Sequence, residues 1–191
     1  KHHLVNSLLK FFSVASVSDW EKIYLGNKVS TTFRLSLAHI QNPHAVSAWL
    51  RRGEIQASEL TVEKFDKTRF NKALSEIKEL AFLKPDNFAR HLQTICANCG
   101  VALVFTPNFL QAPVGGATRW FHNKPIIQMP FQDKTTEQFW FTFFHEAAHL
   151  ILHGKRDVFL ENVEGIETDH SKEEEANAFA VKILLTEIEL I

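Results

Sequence analysis

Three residues, His145, Glu146 and His149, have the types and spacing that chemistry on a metal ion requires. On an α-helix, residues four apart lie one turn apart on the same face, so both imidazoles can reach one cation. Glu146 follows the first histidine directly and can address a water molecule on that cation. A divalent metal beside a carboxylate is suited to metal-assisted hydrolysis. The pattern therefore predicts His145 and His149 as metal ligands and Glu146 as the catalytic base.

The sequence around this motif predicts a buried helix. Residues 139–144 are mostly aromatic, and residues 150–152 are aliphatic. Thr135 and Gln138 form a capping box at the predicted start of the helix, and Gly154 is suited to its end. Two imidazoles and a carboxylate are costly to bury without partners, and a bound metal would satisfy all three. This context favours a metal site over two ordinary helical histidines.

A zinc site of this kind needs a third protein ligand and an open fourth position. A second predicted helix, beginning near Ser171, carries Glu173, Glu174 and Glu175 in its acidic first turn. Glu173 heads a stripe of small and apolar residues, whereas the stripe from Glu175 is mixed. Glu174 heads an apolar stripe too, so helical phase does not exclude it. We predict Glu173 as the ligand with Glu175 in reserve, and Asn177 as a partner of a ligand histidine.

Residues 145–155 and 173–180 together resemble the ImmA/IrrE family of zinc metallopeptidases. In that family the ligand glutamate comes shortly before an Ala-Asn pair, which supports Glu173 here. Residues 116–120 resemble one branch of the family, in which a similar segment often follows an Xre-type helix-turn-helix domain. The resemblance, covering about residues 65–191, implies zinc as the cofactor and a small thermolysin-like core. It also implies cleavage of a regulatory protein, commonly a repressor.

The predicted fold class is α+β, mostly helical, with a short β-sheet beside an active-site helix. Residues 1–62 are predicted as a helical N-terminal segment, and residues 63–191 as the zinc metallopeptidase domain. Helix starts are indicated at Ser18, at Asn42 before Pro43, and at Pro85. An apolar run at residues 101–105 predicts a strand, and residues 118–121 and 126–129 predict a hairpin. Residues 155–170 are acidic and are predicted as a loop.

Composition restricts the possible partners of the chain. A formal net charge of −1 over 191 residues argues against direct nucleic-acid binding by this segment. No apolar run approaches the length of a membrane span, and no secretory signal opens the chain. The two cysteines, Cys96 and Cys99, are predicted to be small buried residues, which fits a cytoplasmic protein. Because the chain begins at Lys1, we expect it to be excised from a longer protein that includes the DNA-binding domain.

The predicted reaction is hydrolysis of a peptide bond in an extended protein substrate. The substrate is expected to pair with a sheet edge beside residues 116–120, and Gly115-Gly116 permits close approach of backbone there. Arg119 and His122 are candidates for oxyanion or substrate contacts because of their place in the hairpin. The alternative is a sensor or antitoxin-like binding module with a silent or structural zinc site. Glu146 favours the enzyme, because a structural site does not need that carboxylate.

Overall fold

The structure, a computed structural model, describes residues 2–26, 37–83, 85–110, 113–130, 135–153, 155, 157–166 and 168–185. Its elements confirm an α+β fold in which helices predominate. In chain order they are α1 (His2–Phe12), α2 (Val17–Tyr24), α3 (Pro43–Glu59), α4 (Lys67–Leu83), α5 (Phe88–Asn98), β1 (Ala102–Phe105), β2 (Gly116–Phe121), β3 (Lys124–Met129), α6 (Thr136–Leu152), β4 (Phe159–Glu161) and α7 (His170–Leu184).

The described strands form one mixed sheet in the order β1-β3-β2-β4. Strands β2 and β3 form the predicted hairpin, and its two turn residues, His122 and Asn123, have φ angles of 48° and 62°. Positive φ at both positions is the requirement of a tight type I′ turn. Strand β1 runs parallel to β3. Strand β4 pairs antiparallel with residues 116–118, which places β2 inside the sheet.

This pairing corrects two expectations. The loop predicted over residues 155–170 contains strand β4, and β2 is an inner strand along residues 116–118 and not an edge open to substrate. A three-residue strand is too short to show the alternation by which strands are recognised. Part of the acidic loop therefore completes the sheet beside β2.

The two faces of the sheet bury different helices. Side chains alternate along a strand, so Gly116 and Thr118 face α6, while Ala117 and Arg119 face α3. On the α6 face the core includes Phe143, Phe144 and Ile127, among other apolar residues. On the other face two apolar clusters include residues of α3 and the opposite sides of β1, β2, β3 and β4. Helix α6 is thus packed against β2 at Thr142 and Glu146.

Helix α3, from the predicted N-terminal segment, is bonded directly to the sheet region. Trp49 Nε1 donates to Thr106 O at 3.1 Å, and Gln128 Nε2 donates to Trp49 O at 2.7 Å. Trp49 and Leu50 are fully buried. The division at residues 62 and 63 stays a prediction, and the contacts show that the segment before it contributes to the core behind β2.

Two predicted helix starts are confirmed by their capping hydrogen bonds, and three helices begin at other residues than predicted. The capping box of Thr135 and Gln138 is confirmed at the start of α6, and Asn42 caps α3 before Pro43. Helix α2 begins at Val17 after Ser16, two residues earlier than predicted, because Ser16 accepts from Asp19 N. Helix α5 begins at Phe88, not at Pro85, and α7 follows Asp169, which accepts from Lys172 N. The predicted stop at Gly154 lies outside the described residues.

Cys96 and Cys99 are buried free thiols, as the sequence predicts. Burial raises the pKa of the Cys96 thiol, which keeps it in the uncharged form that suits an apolar core. Across the part of the chain that the structure describes, no helix combines the length and apolarity needed to cross a membrane.

A buried polar network joins α3 to β2 and gives a prediction about stability. Arg119 is 2% exposed, and its Nη2 donates to Leu50 O at 2.6 Å and to Gln128 Oε1 at 2.8 Å. Its Nε lies 3.9 Å from Glu54 Oε1. Arg119→Ala removes the buried donor to Leu50 O and Gln128 Oε1 and leaves a cavity, so we expect the free energy of unfolding to fall by about 3 kcal/mol. Chemical denaturation measures this loss.

The matched control is Arg90→Ala, because Arg90 is exposed on α5. Its effect on the free energy of unfolding is expected to stay within about 0.5 kcal/mol. Equal stability of the Arg119→Ala and Arg90→Ala variants would contradict the role given to the buried network.

Candidate metal centre

Helix α6 places His145 and His149 on one face, as their spacing requires. The two residues are 3% and 1% exposed, and their Nε2 atoms lie 3.0 Å apart. The helix is held in this orientation because twelve of its residues are buried, including the aromatic residues before the motif. Both imidazoles therefore point to one small volume inside the protein.

Helix α7 brings Glu173 to the same point. Glu173 Oε2 lies 3.2 Å from His145 Nε2 and 3.7 Å from His149 Nε2. Ala176 and Ala180 are fully buried, and small side chains at these positions let two helices approach closely. Burial raises the pKa of Glu173, but hydrogen bonds to the two histidines outweigh it and lower the pKa to about 2. Glu173, the glutamate predicted as the third ligand, is the one that the fold brings to the histidines.

The neighbouring candidates lie elsewhere. Glu174 is exposed, and the side chain of Glu175 is 59% exposed with its Oε2 3.9 Å from His153 Nε2. His153, at the end of α6, lies with Nε2 3.4 Å from Lys172 O. Among the described residues, His145, His149 and Glu173 form a group whose ligand atoms lie within 4.8 Å of one another.

The three ligand atoms fit a divalent metal such as zinc. Tetrahedral coordination with ordinary Zn–N and Zn–O bonds separates ligand atoms by about 3.3 Å. The separations of 3.0, 3.2 and 3.7 Å bracket this value. His145 Nδ1 lies 2.9 Å from Asn177 Oδ1. When His145 donates its Nδ1–H to Asn177, its Nε2 lone pair is directed at the centre.

Strand β4 fixes the second histidine. The ring of Phe159 stacks on the ring of His149 with centroids 3.7 Å apart and an interplanar angle of 13°. Phe159 is one of two residues at this site that the sequence analysis places in a loop; the other is Glu161. The only sequence signal for them is the short run Val158, Phe159 and Leu160 in an acidic stretch, which does not by itself indicate a strand.

The carboxylate of Glu146 is buried beside this group. Glu146 is fully buried, and neither carboxylate oxygen has a hydrogen bond in the part of the chain that the structure describes. Burial first, and then the negative charge of Glu161, raise the pKa of Glu146 to about 8, while His145 lowers it. A carboxylate with a pKa near neutrality can both take and return a proton. A cation at the adjacent centre would compensate the cost of burying its charge.

Strand β2 shapes the space for Glu146. Thr118 Oγ1 donates to the backbone oxygen of Glu146 at 3.0 Å and so ties β2 to α6. Gly116 lies against the carboxylate, since a Cβ atom at this position would be 2.4 Å from Glu146 Oε1 and 3.0 Å from Thr142 Cγ2. The close approach anticipated at Gly115-Gly116 is therefore an approach to the predicted base.

Gly116→Ala tests this packing. The added methyl group must displace the Glu146 carboxylate, because contacts this short do not occur between real atoms. We expect kcat for peptide cleavage to fall by about 100-fold, the scale of a misplacement near 1 Å, with metal content unchanged. Steady-state kinetics and metal analysis check the result, and unfolding curves check the fold. Unchanged kinetics would show that the position of Glu146 does not depend on Gly116.

Asn177→Ala removes the partner of His145. The imidazole then loses the bond that sets its tautomer and orientation, so we expect metal affinity or activity to fall by about 10–100-fold. Competition with a fluorescent zinc chelator measures the affinity. Asn177→Asp serves as the rescue variant, because its carboxylate oxygen also accepts from Nδ1–H. An alanine variant with full zinc affinity and full activity would remove Asn177 from the centre.

The two predicted oxyanion or substrate residues lie apart from the three ligands. The guanidinium of Arg119 is bonded on the α3 face of the sheet, whereas Glu146 lies on the α6 face. His122 is exposed in the hairpin turn, where its ring packs on Phe121 with centroids 4.2 Å apart. The structure brings together His145, Glu146, His149, Glu173 and Asn177, but not Arg119 or His122. The contacts of Arg119 are those of a structural residue.

Comparison with known proteins identifies a family for the second half of the chain. Residues 100–191 match the Peptidase M78 family, described as the IrrE N-terminal-like domain. The match confirms the resemblance to the ImmA/IrrE family, and the chain carries a metallopeptidase-like domain of that kind. The match begins at residue 100, downstream of residue 65, where the resemblance in the sequence begins. No curated protein and no solved structure matches the chain.

Proposed function

We propose that this domain is a zinc-dependent endopeptidase. The observation that carries the proposal is the convergence of three ligand atoms beside a fully buried carboxylate, to which no described residue gives a hydrogen bond. His145, His149 and Glu173 would hold the metal and leave a fourth position open. This arrangement differs from a structural zinc site, which closes all four positions with protein ligands.

In the proposed hydrolysis, three residues bind the metal and Glu146 transfers the proton. A zinc ion held by the three ligands supplies Lewis acidity, which acidifies water and polarises a carbonyl group. Glu146 takes the proton of the attacking water and returns it to the leaving amine. Asn177 keeps His145 in the tautomer that can bind the metal. Gly116 and Thr118 hold β2 against α6, so that Glu146 stays directed at the reacting atoms.

Strand β4 supports a binding mode for an extended substrate. It is an outer strand of the described sheet, and its Phe159 contacts the ligand His149. An extended peptide that pairs with an outer strand gains main-chain hydrogen bonds, and its alternate side chains turn toward the site. We therefore propose that the substrate pairs with β4 and not with β2.

The substrate we propose is a regulatory protein. In the family that the sequence resembles, the substrate is commonly a repressor. The formal net charge of −1 gives this segment no broad means of holding duplex DNA. In the family branch that the sequence resembles, DNA binding belongs to a helix-turn-helix domain, and we propose the same arrangement here. We also propose that the protein acts in the cytoplasm. A sensor module with a silent zinc site is the second candidate, and the buried Glu146 favours the enzyme over it.

A cleavage assay with repressors from the same genome tests the proposal. Zinc-loaded and metal-stripped protein are incubated with each repressor, and new termini are mapped by mass spectrometry. We expect discrete internal cleavage with the loaded protein only. Tight binding of a repressor by the zinc-loaded protein, without cleavage of any repressor, would favour the sensor module.

A further inference from the structure

Strand β4 is the shortest of the described strands and lies at the outer edge of their sheet. Its three residues pair with residues 116–118 of β2. Three residues are the lower limit of strand length, and an outer strand has a partner on one side only. Segments with so few backbone contacts open locally at a small cost in free energy. The pairing of β4 therefore depends on what its side chains pack against.

Phe159 is the residue through which β4 contacts the candidate metal centre. It is 8% exposed, and its ring lies on the ring of His149. An ion pair also ties the segment before β4 to α7, with Lys172 Nζ 2.8 Å from Asp157 Oδ2. Both of these side chains are about one third exposed, so solvent screens their attraction. Phe159 is thus the buried side chain that links β4 to α6.

His149 differs from His145 in how its ring is oriented. A ligand histidine normally donates its second ring N–H to an acceptor, which fixes the orientation of the imidazole. His145 Nδ1 has this partner in Asn177, whereas His149 Nδ1 is buried and no described residue forms a hydrogen bond with it. In the described part of the chain, the stacked ring of Phe159 is the contact that can orient His149 instead.

The geometry of this stacking suits an imidazole that carries positive charge. Two neutral aromatic rings prefer an offset or edge-to-face arrangement to a direct face-to-face one. The rings of Phe159 and His149 lie almost face to face, with centroids 3.7 Å apart and an interplanar angle of 13°. An imidazole bound to a divalent cation through Nε2 takes on part of its positive charge, and the face of a phenyl ring attracts positive charge. The contact is therefore stronger when the centre is loaded.

We propose that Phe159 couples metal binding at His149 to the pairing of strand β4. A loaded centre strengthens the stacking and so holds β4 against β2. Such a coupling is reciprocal, so a seated Phe159 ring raises the affinity of the centre for the metal by the same factor. One consequence rests on the proposed function, in which the substrate pairs with β4. The edge that receives the substrate is then fully formed only in the metal-loaded protein.

The affinity for zinc tests the coupling from the side of the ring. Phe159→Leu keeps an apolar side chain but removes the aromatic face, so we expect the dissociation constant for zinc to rise by about 10-fold. Phe159→Tyr keeps the face and is expected to retain the affinity. Phe82→Leu is the matched control, because it makes the same change at an exposed residue of α4. Competition with a fluorescent zinc chelator measures each affinity, and unfolding curves check that each variant is folded.

Hydrogen exchange tests the coupling from the side of the metal. The amides of β4 are followed with and without zinc, and no substrate is present. We expect zinc to slow their exchange by about 10-fold in the unsubstituted protein and in Phe159→Tyr. In Phe159→Leu we expect zinc to have little effect on the same amides.

Three results would overturn the coupling. The first is equal zinc affinity of Phe159→Leu and the unsubstituted protein, and the second is equal slowing of β4 exchange by zinc in both. The third is a loss of zinc affinity that Phe159→Tyr shares in full, because the aromatic face would then not be its cause. Neither measurement uses a substrate, so the coupling can hold where no peptide is cleaved. Its failure would leave the proposed peptidase function standing, whereas absence of zinc binding by the unsubstituted protein would contradict both.

Discussion

Glu146→Gln is expected to lower kcat for peptide cleavage by about 10²–10⁴-fold, while the protein still binds about one zinc per chain. Glutamine has nearly the shape of glutamate but cannot accept and return a proton. No hydrogen bond to the carboxylate is lost on substitution, since neither oxygen has one among the described residues. The change therefore isolates proton transfer from packing. Steady-state kinetics and metal analysis of the same preparation give both quantities.

Glu79→Gln is a suitable control, because Glu79 is an exposed residue of α4 away from the centre. Its kinetics are expected to equal those of the unsubstituted protein. Loss of zinc in Glu146→Gln would make Glu146 a ligand and not the base. Retention of full activity would remove it from the reaction.

His149→Ala is expected to abolish zinc binding and cleavage together. It removes one of three ligands and also the stacking partner of Phe159. A ligand that binds only the folded protein raises its free energy of unfolding by about 2.7 kcal/mol when its concentration is about 100 times the dissociation constant. We expect this gain for the unsubstituted chain and none for His149→Ala. Each protein is compared with and without zinc, so the cavity left by the imidazole does not affect the result.

The three glutamates of α7 provide a matched series on the same metal. Glu173→Ala is expected to lose most of its zinc affinity, because Glu173 Oε2 lies against both ligand histidines. Glu174→Ala removes the same charge from an exposed neighbour and is expected to be nearly neutral. Isothermal titration of the three alanine variants ranks the positions. A large loss in Glu175→Ala with none in Glu173→Ala would contradict the assignment.

The helical parts of the site are the parts that the sequence predicts. The relative placement of His145 and His149 depends only on the geometry of one helix, so it does not depend on how the rest of the chain folds. The choice of Glu173 depends on the small residues Ala176 and Ala180, which are buried in the structure. The capping box at Thr135 is equally local and is confirmed. Periodicity within a helix therefore identifies His145 and His149, whereas the choice of Glu173 over Glu174 also uses the Ala-Asn pair of the family resemblance.

The contribution of the sheet depends on distant pairing and is harder to predict. Both faces of β2 are buried, so its sequence shows no alternation to indicate that Arg119 faces α3. Strand β4 has three residues, and only its pairing with residues 116–118 defines it. The inner position of β2, the stacking of Phe159 on His149 and the placement of Glu161 all follow from that pairing. None of these could be predicted from the local sequence.

Titration of metal-free protein with zinc, followed by metal content and by the rate of peptide cleavage, tests the central claim most directly. If His145, His149 and Glu173 hold the metal on which Glu146 acts, the rate rises in proportion to bound zinc. It then levels off at about one equivalent per chain. Glu146→Gln is expected to bind the same equivalent without the rise in rate. Equal cleavage by metal-free and zinc-loaded protein, or the same rise in rate in Glu146→Gln, would contradict the account.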